Sequence, residues 1–177
     1  MQYLFFICID NFFNIQNIMK KTLLVLFALI HFITYSQNQL PNVKLKNLKG
    51  ELVNSNLDFQ KKDVVYVYSF WATWCAPCVQ ELDAISEVYG NWKQKLDVEL
   101  IAVSVDDSRT EKRVKPMVNG KGWEYIVLLD TNQEFKRSLS IANVPYTVVV
   151  KNNKIVYVQN GHSPGGESEF FEKLKNL

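Results

Sequence analysis

The chain has 177 residues, of which 47% are hydrophobic and 21% charged, a balance that suits one globular domain and excludes a disordered chain. Lys and Arg number 20 against 18 Asp and Glu. With no clustered basic stripe, nucleic acid is not an expected partner. Three cysteines are too few for a disulfide-stapled scaffold, and no internal repeat or low-complexity tract is visible.

The N-terminus reads as an address. Met19-Lys20-Lys21 precedes an apolar run that begins at Thr22 and reaches about Tyr35. A short positive stretch before such a run is the secretory signal pattern, and the run is short beside the roughly 17–25 residues of a membrane span. Ser36 and Gln37 offer a cleavage region. Residues 1–18 put Asp10, Asn11 and Asn14 ahead of the basic pair, which points to Met19 as the start of translation. Residues 1–36 are therefore expected to be a signal peptide region and 37–177 the domain. The expected location is exported and periplasmic, with a membrane tether if the N-terminal segment stays uncleaved. Cleavage removes Cys8 and leaves two cysteines, with 18 basic and 17 acidic residues. Such a compartment permits disulfides.

The body of the chain alternates strand and helix signals. Val43–Lys46 and Glu51–Val53 flank Lys49-Gly50, a short hairpin. Val64–Trp71 is β-branched and aromatic almost throughout, as befits a strand buried on both faces. From Cys75 the period changes: Val79, Leu82, Ile85, Tyr89, Trp92 and Leu96 fall three or four apart, an amphipathic helix of about twenty residues. Val98–Val105 is a strand and Arg109–Asn119 a helix whose course Pro116 complicates. Tyr125–Leu129 is a strand and Asn132–Ser140 a short helix. Tyr146–Val150 and Lys154–Gln159 pair across Asn152-Asn153, and Glu167–Leu177 closes the chain as a helix. This order implies an α/β fold whose first half is largely parallel and whose last two strands are antiparallel.

Trp74-Cys75-Ala76-Pro77-Cys78 lies where the buried strand gives way to the long helix. Helix N-terminal N–H groups are unpaired and partly positive, so a thiolate there is stabilised and becomes nucleophilic near neutral pH. Two intervening residues let a second sulfur reach the first and resolve a mixed disulfide. Pro77 suits a first helical turn. Cys75 is thus expected to be the exposed attacking thiol and Cys78 the more buried resolving one. A structural disulfide closing so short a loop stabilises little. A structural zinc normally needs four ligands, while processing leaves only this pair and His162.

The segment Phe70-Trp71-Ala72-Thr73-Trp74-Cys75-Ala76-Pro77-Cys78 resembles the active-site sequence of the thioredoxin superfamily, and more narrowly that of the exported TlpA/ResA-like thiol–disulfide oxidoreductases. The resemblance runs from about residue 40 to 177. It implies a thioredoxin-like fold, a central mixed sheet flanked by helices, with an N-terminal hairpin and a central helix–strand insertion. It also implies that Val144-Pro145 is a cis bond facing the cysteines, with Val144 backbone groups pairing with substrate in strand fashion. Trp74, Ala76 and Pro77 then join Val144 and Pro145 as the substrate-binding set, and Trp71 and Trp74 frame the motif.

Two departures stand out. Thioredoxins proper carry a buried Asp where this chain has Ser69, although the exported subgroup tolerates an uncharged polar residue there. The family often has a helix-kinking proline five residues after the second cysteine, where this chain has Asp83, so a straighter helix is expected. Glu81, three residues after Cys78, matches a subgroup glutamate implicated in handling thiol protons; the alternative is a solvated helix glutamate. Asp106-Asp107 reads as a cap for the following helix, Tyr66 and Tyr68 as packing, and His162 as a loop residue without a catalytic role.

The implied activity is disulfide exchange with exported proteins through Cys75 and Cys78, with Glu81 as the acid–base group, in the reductive direction and in settings such as cytochrome c maturation. No organic cofactor or metal is called for. Electrons would come from a membrane or extracytoplasmic dithiol protein. The alternatives are a disulfide oxidase or isomerase using the same cysteines, a peroxidase of the same fold, and a non-enzymatic binding module.

Overall fold

The computed structural model describes residues 19–24, 26 and 38–177. The chain divides into two compact units, residues 1–38 and 39–177. In the first, residues 19–24 are helical; most of the expected signal region, with Cys8 and His31, lies outside the described residues. No helix among the described residues is long and apolar enough to cross a membrane.

The second unit is built on one seven-stranded sheet. Its strands are β1 (Lys44–Asn47), β2 (Leu52–Asn54), β3 (Val65–Trp71), β4 (Val98–Ser104), β5 (Ile126–Leu129), β6 (Tyr146–Lys151) and β7 (Lys154–Asn160). They lie in the order β2-β1-β5-β4-β3-β6-β7. β3, β4 and β5 are parallel neighbours. β6 runs antiparallel to β3 and to β7, and β1 antiparallel to β2 and β5. This is the mixed sheet that the order of elements implied. Asn152 and Asn153 both take positive φ, 51° and 63°, as a two-residue turn between β6 and β7 requires.

The helices of this unit are α1 (Ala76–Lys95), α2 (Val114–Lys121), α3 (Glu134–Ser138) and α4 (Glu167–Lys175). The expected helix over 109–119 forms instead as a 3-10 turn, Glu111–Arg113, followed by α2. Pro116 explains the break: it falls in the first turn of α2, where a missing N–H leaves no hydrogen bond unmade.

All seven residues of β3 are buried. Its side chains alternate between two layers. Tyr68 and Phe70 meet the ring of Phe135 in α3, and Tyr66 and Tyr68 meet Phe59. On the opposite face Trp71 packs edge-on against Trp123, with ring centres 5.1 Å apart. α4 docks on α1 by laying Phe171 flat against Trp92 at 5.3 Å, with Phe170 at 6.0 Å.

α1 runs unbroken for 20 residues. Asp83 ties the helix to the end of α2 and the loop after it. It accepts from Trp123 Nε1 at 2.9 Å and from Lys121 Nζ at 2.6 Å. The lysine pair is substantially exposed and worth little; the indole bond is partly buried and matters more. Asp83→Ala should therefore cost about 1–2 kcal/mol in urea unfolding, and Asp83→Asn, which keeps an oxygen for the indole, less than half of that. Equal losses in the two variants would show that the lysine pair carries the tie.

Candidate active site

The reactive centre forms where β3 leaves the sheet. Cys75 is the N-cap of α1, with extended backbone (φ −94°, ψ 91°), and its Sγ accepts from Cys78 N–H at 3.3 Å. Cys75 N–H in turn donates to Ala72 C=O at 3.0 Å, closing a tight turn ahead of the helix. Ala76 opens the helix and Pro77 follows in its first turn, where no N–H is needed. The two cysteines form a disulfide with Cα atoms 5.3 Å apart.

The electrostatics favour a thiolate at Cys75. A 20-residue helix points its positive end at the sulfur, the first turn holds no acidic residue, and Lys93 and Lys95 complement the far end. One expectation needs correction. Cys75 is only 5% exposed and Cys78 is fully buried, so the order of burial is as expected but Cys75 is not an exposed residue. In the disulfide its Sγ lies over the helix end, accepting from Cys78 N–H. The exposed member of the motif is Trp74, at 59%. It stands out from the surface, whereas Trp71 is fully buried, so only Trp71 sits packed beneath the motif.

The loop before the cysteines is held by a residue that the sequence pattern casts as a helix cap. Asp106, buried just past the end of β4, accepts from Thr73 N–H at 2.8 Å, Thr73 Oγ1 at 2.6 Å and Ser104 Oγ at 2.8 Å. It clamps the Thr73-Trp74 turn and does not cap a helix. Asp107 does organise the following turn, accepting from the Arg109 backbone N–H and pairing with its guanidinium. The clamp spans 33 residues in sequence and carries no periodic signal, which hid it.

Val144-Pro145 is cis. In the β3–β6 register Phe70 stands opposite Tyr146, which puts Pro145 level with Trp71, at the same end of the sheet as the cysteine turn. Pro145 C=O accepts from Gly161 N–H at 2.9 Å. Among the described residues nothing pairs with the backbone N–H or C=O of Val144.

Glu81 lies one turn beyond Cys78 and is 5% exposed, so it is not a solvated helix glutamate. Burial pushes its carboxyl from 4.5 up to about 7; the Ser69 hydroxyl pulls it partly back, and the charge of Glu167 adds to the rise. Ser69 influences Glu81 without completing a hydrogen bond: Ser69 Oγ and Glu81 Oε2 are both buried without a partner. Glu167, at the head of α4, was not singled out in the sequence. Its only signal was its place in front of the Phe170-Phe171 stripe.

Cys75, Cys78, Glu81 and Pro145 thus gather at one end of the central strands. Residues 36–174 match the Redoxin family. The thiol–disulfide oxidoreductase ResA of Bacillus anthracis is 32% identical over 117 residues, 66% of this chain and 64% of that protein. This chain therefore spans just under two thirds of that relative's length. A solution structure of an uncharacterized thioredoxin-like protein from Porphyromonas gingivalis is 44% identical and superposes with a TM-score of 0.68, covering 78% of this chain and 90% of that one. A putative thiol:disulfide interchange protein DsbE from Chlorobium tepidum shares the fold at 20% identity and a TM-score of 0.67, covering 78% and 94%. The chain belongs to the Redoxin family, as a ResA-like member of the thioredoxin superfamily.

Two outcomes follow from this geometry. Asparagine at position 106 offers one acceptor oxygen to three donors, so Asp106→Asn should destabilise the oxidised protein by about 2–3 kcal/mol; a loss under 0.5 kcal/mol in urea unfolding would remove the clamp. Glu81 favours folding only while it is protonated. Its contribution is complete below pH 4.5 and is lost as pH rises through about 7. Glu81→Gln removes that titration. Its stability relative to the parent should therefore improve by about 2–3 kcal/mol between pH 4 and pH 8. A difference constant across that range would show that the carboxyl titrates normally.

Proposed function

We propose that the protein is an extracytoplasmic thiol–disulfide oxidoreductase that works as a reductase of other exported proteins. The observation that carries this reading is the Cys75–Cys78 disulfide seated on the N-terminus of a long helix whose first turn holds no acid. In the reduced protein the Cys75 thiolate attacks a target disulfide. One target sulfur leaves as a thiolate and the other is held in a mixed disulfide. Glu81 then takes the proton of Cys78, the Cys78 thiolate attacks Cys75 Sγ, and the second target sulfur is released. One electron pair passes from the protein dithiol to the target disulfide, and Cys75–Cys78 is left oxidised, to be reduced again by a membrane or extracytoplasmic dithiol protein.

The remaining parts serve recognition. The unpaired N–H and C=O of Val144 offer a target chain strand-like hydrogen bonds beside Pro145. The exposed Trp74 supplies an apolar contact, and the Ala76-Pro77 turn presents no charge to the incoming chain. Residues 1–36 act as the export signal and 37–177 as the working domain. The name of the ResA relatives supports the oxidoreductase class, and cytochrome c maturation is one setting in which such reduction is needed.

Cys78→Ser should accumulate mixed disulfides with target proteins, and Cys75→Ser should form none. The reduction potential of the pair, by equilibration with dithiothreitol, should fall near the thioredoxin range of roughly −270 mV. A value near the DsbA range, roughly −120 mV, would reverse the direction and make the protein an oxidase. Absence of any trapped species in Cys78→Ser would favour a binding module.

A further inference from the structure

The exchange reaction must move a proton onto or away from Cys78, which is fully buried. Near Glu81 lies a cavity of about 20 Å³, lined by Glu81, Ile85, Gln159, His162, Glu167 and Phe170 among others. That is room for one water molecule. Two of its lining residues, on different elements, carry buried carboxyl oxygens with no partner: Glu81 Oε2 on α1 and Glu167 Oε1 at the first position of α4. Buried acceptors left unpaired cost about 1–3 kcal/mol each. A water, with two donors, can satisfy both. At the outer edge Gly166 N–H donates to Ser163 C=O at 2.9 Å, and a Cβ on Gly166 would come within 2.9 Å of that same oxygen. The turn is therefore drawn tight beside the cavity, with Ser163 exposed to solvent.

We propose that Glu81 and Glu167 form a proton relay, in which a water in this cavity joins the two carboxyls and carries protons between Glu81 and the solvent at the His162–Gly166 turn. This rests on Glu81 serving as the base for Cys78. When the Cys78 thiol gives its proton to the Glu81 carboxylate, a thiolate and a neutral carboxylic acid result. The proton then passes through the water to Glu167 and on to bulk solvent, and Glu81 is ionised again. No electrons move in the relay. Glu167 is a positioning residue, acting on the cysteines only through Glu81. The polar groups around Glu81 are Glu167 from α4, His162 and Ser163 from the preceding loop, Gln159 from β7 and Ser69 from β3, and Cys78 lies one turn before it on the same helix. None of them is a lysine or arginine, and the negative charge of Glu167 helps hold the Glu81 proton in place.

The test is Glu167→Gln in the full chain, with two readouts. The first is the titration of the Glu81 carboxyl carbon by NMR in the oxidised protein. The second is the pH profile of the exchange rate, compared in the presence and absence of Glu81→Gln. In Glu167→Gln the Glu81 midpoint should fall by roughly half a pH unit or more, and the acid limb of the rate profile should move with it. In the Glu81→Gln background, Glu167→Gln should leave the profile where it was. A Glu81 midpoint that does not move overturns the relay and leaves the base assignment standing. A Glu81→Gln profile identical to that of the parent overturns the base assignment, and the relay to the cysteines with it, whatever the NMR titration shows.

Discussion

The structure depends on the complete burial of β3. Every one of its seven side chains is buried, β4 flanks it in parallel and β6 antiparallel, and both neighbours stay in register to its last residues. Apolar burial at about 25 cal/mol per Å² makes such a strand costly to displace. Trp71, at its end, is fixed from two directions: its C=O accepts from Val105 N–H at 2.8 Å, and its ring meets Trp123. The chain has to leave the sheet at Ala72, and α1 begins four residues later. A reactive group at that turn stands on rigid elements, which is what a site needs if its geometry is to be held without help from the substrate. Asp106 completes the arrangement by taking up the polar groups of Thr73 that the exit from the sheet would otherwise strand.

Charge is then sorted by depth. At the head of α1 the first turn carries no acid and the helix end is positive, so the place for a sulfur anion is kept clear of competition. One turn deeper a carboxyl is admitted, and burial keeps it protonated up to about pH 7. A group that ionises near the working pH can take and return a proton with little driving force wasted either way. An ordinary surface glutamate, half-ionised already at pH 4.5, could not. Ser69 fits this scheme. A carboxylate in its place would put a second negative charge against Glu81, whereas a hydroxyl moderates the carboxyl without adding one.

Much of the fold was legible in the sequence because its signals are local. The period of α1, the unbroken apolar run of β3 and the Asn152-Asn153 turn each lie within twenty residues and need no partner to be recognised. Cys75 and Cys78 were legible for the same reason, as a short motif at a junction of two periods. What escaped the reading depends on contacts between distant segments. Asp106 meets Thr73 from 33 positions away, and Asp83 meets Trp123 from 40. Neither partner can be named before the β3–β4 pairing and the inserted segment are in place. The burial of Cys75 escaped for a different reason: its sulfur is bonded to Cys78 and lies over the first turn of the helix, which spacing alone does not express.

The position of Glu167 follows from packing. Phe170, Phe171 and Leu174 form the buried stripe of α4, and the two phenylalanines dock on Trp92. Residues three and four apart share a helix face, so Glu167, three before Phe170 and four before Phe171, is carried towards α1 by the same contact that buries the rings. Hydrophobic docking of the last helix thus brings a carboxylate beside Glu81, a neighbour that opposes its ionisation. A polar uncharged residue at position 167 would open the helix nearly as well and would spare the domain that repulsion. An arrangement that costs stability and raises the affinity of Glu81 for its proton is what a proton-handling site requires and what a purely structural helix start does not. The C-terminal helix therefore does more than close the core: through Glu167 it helps to set the proton affinity of the one carboxyl within a helical turn of the cysteines.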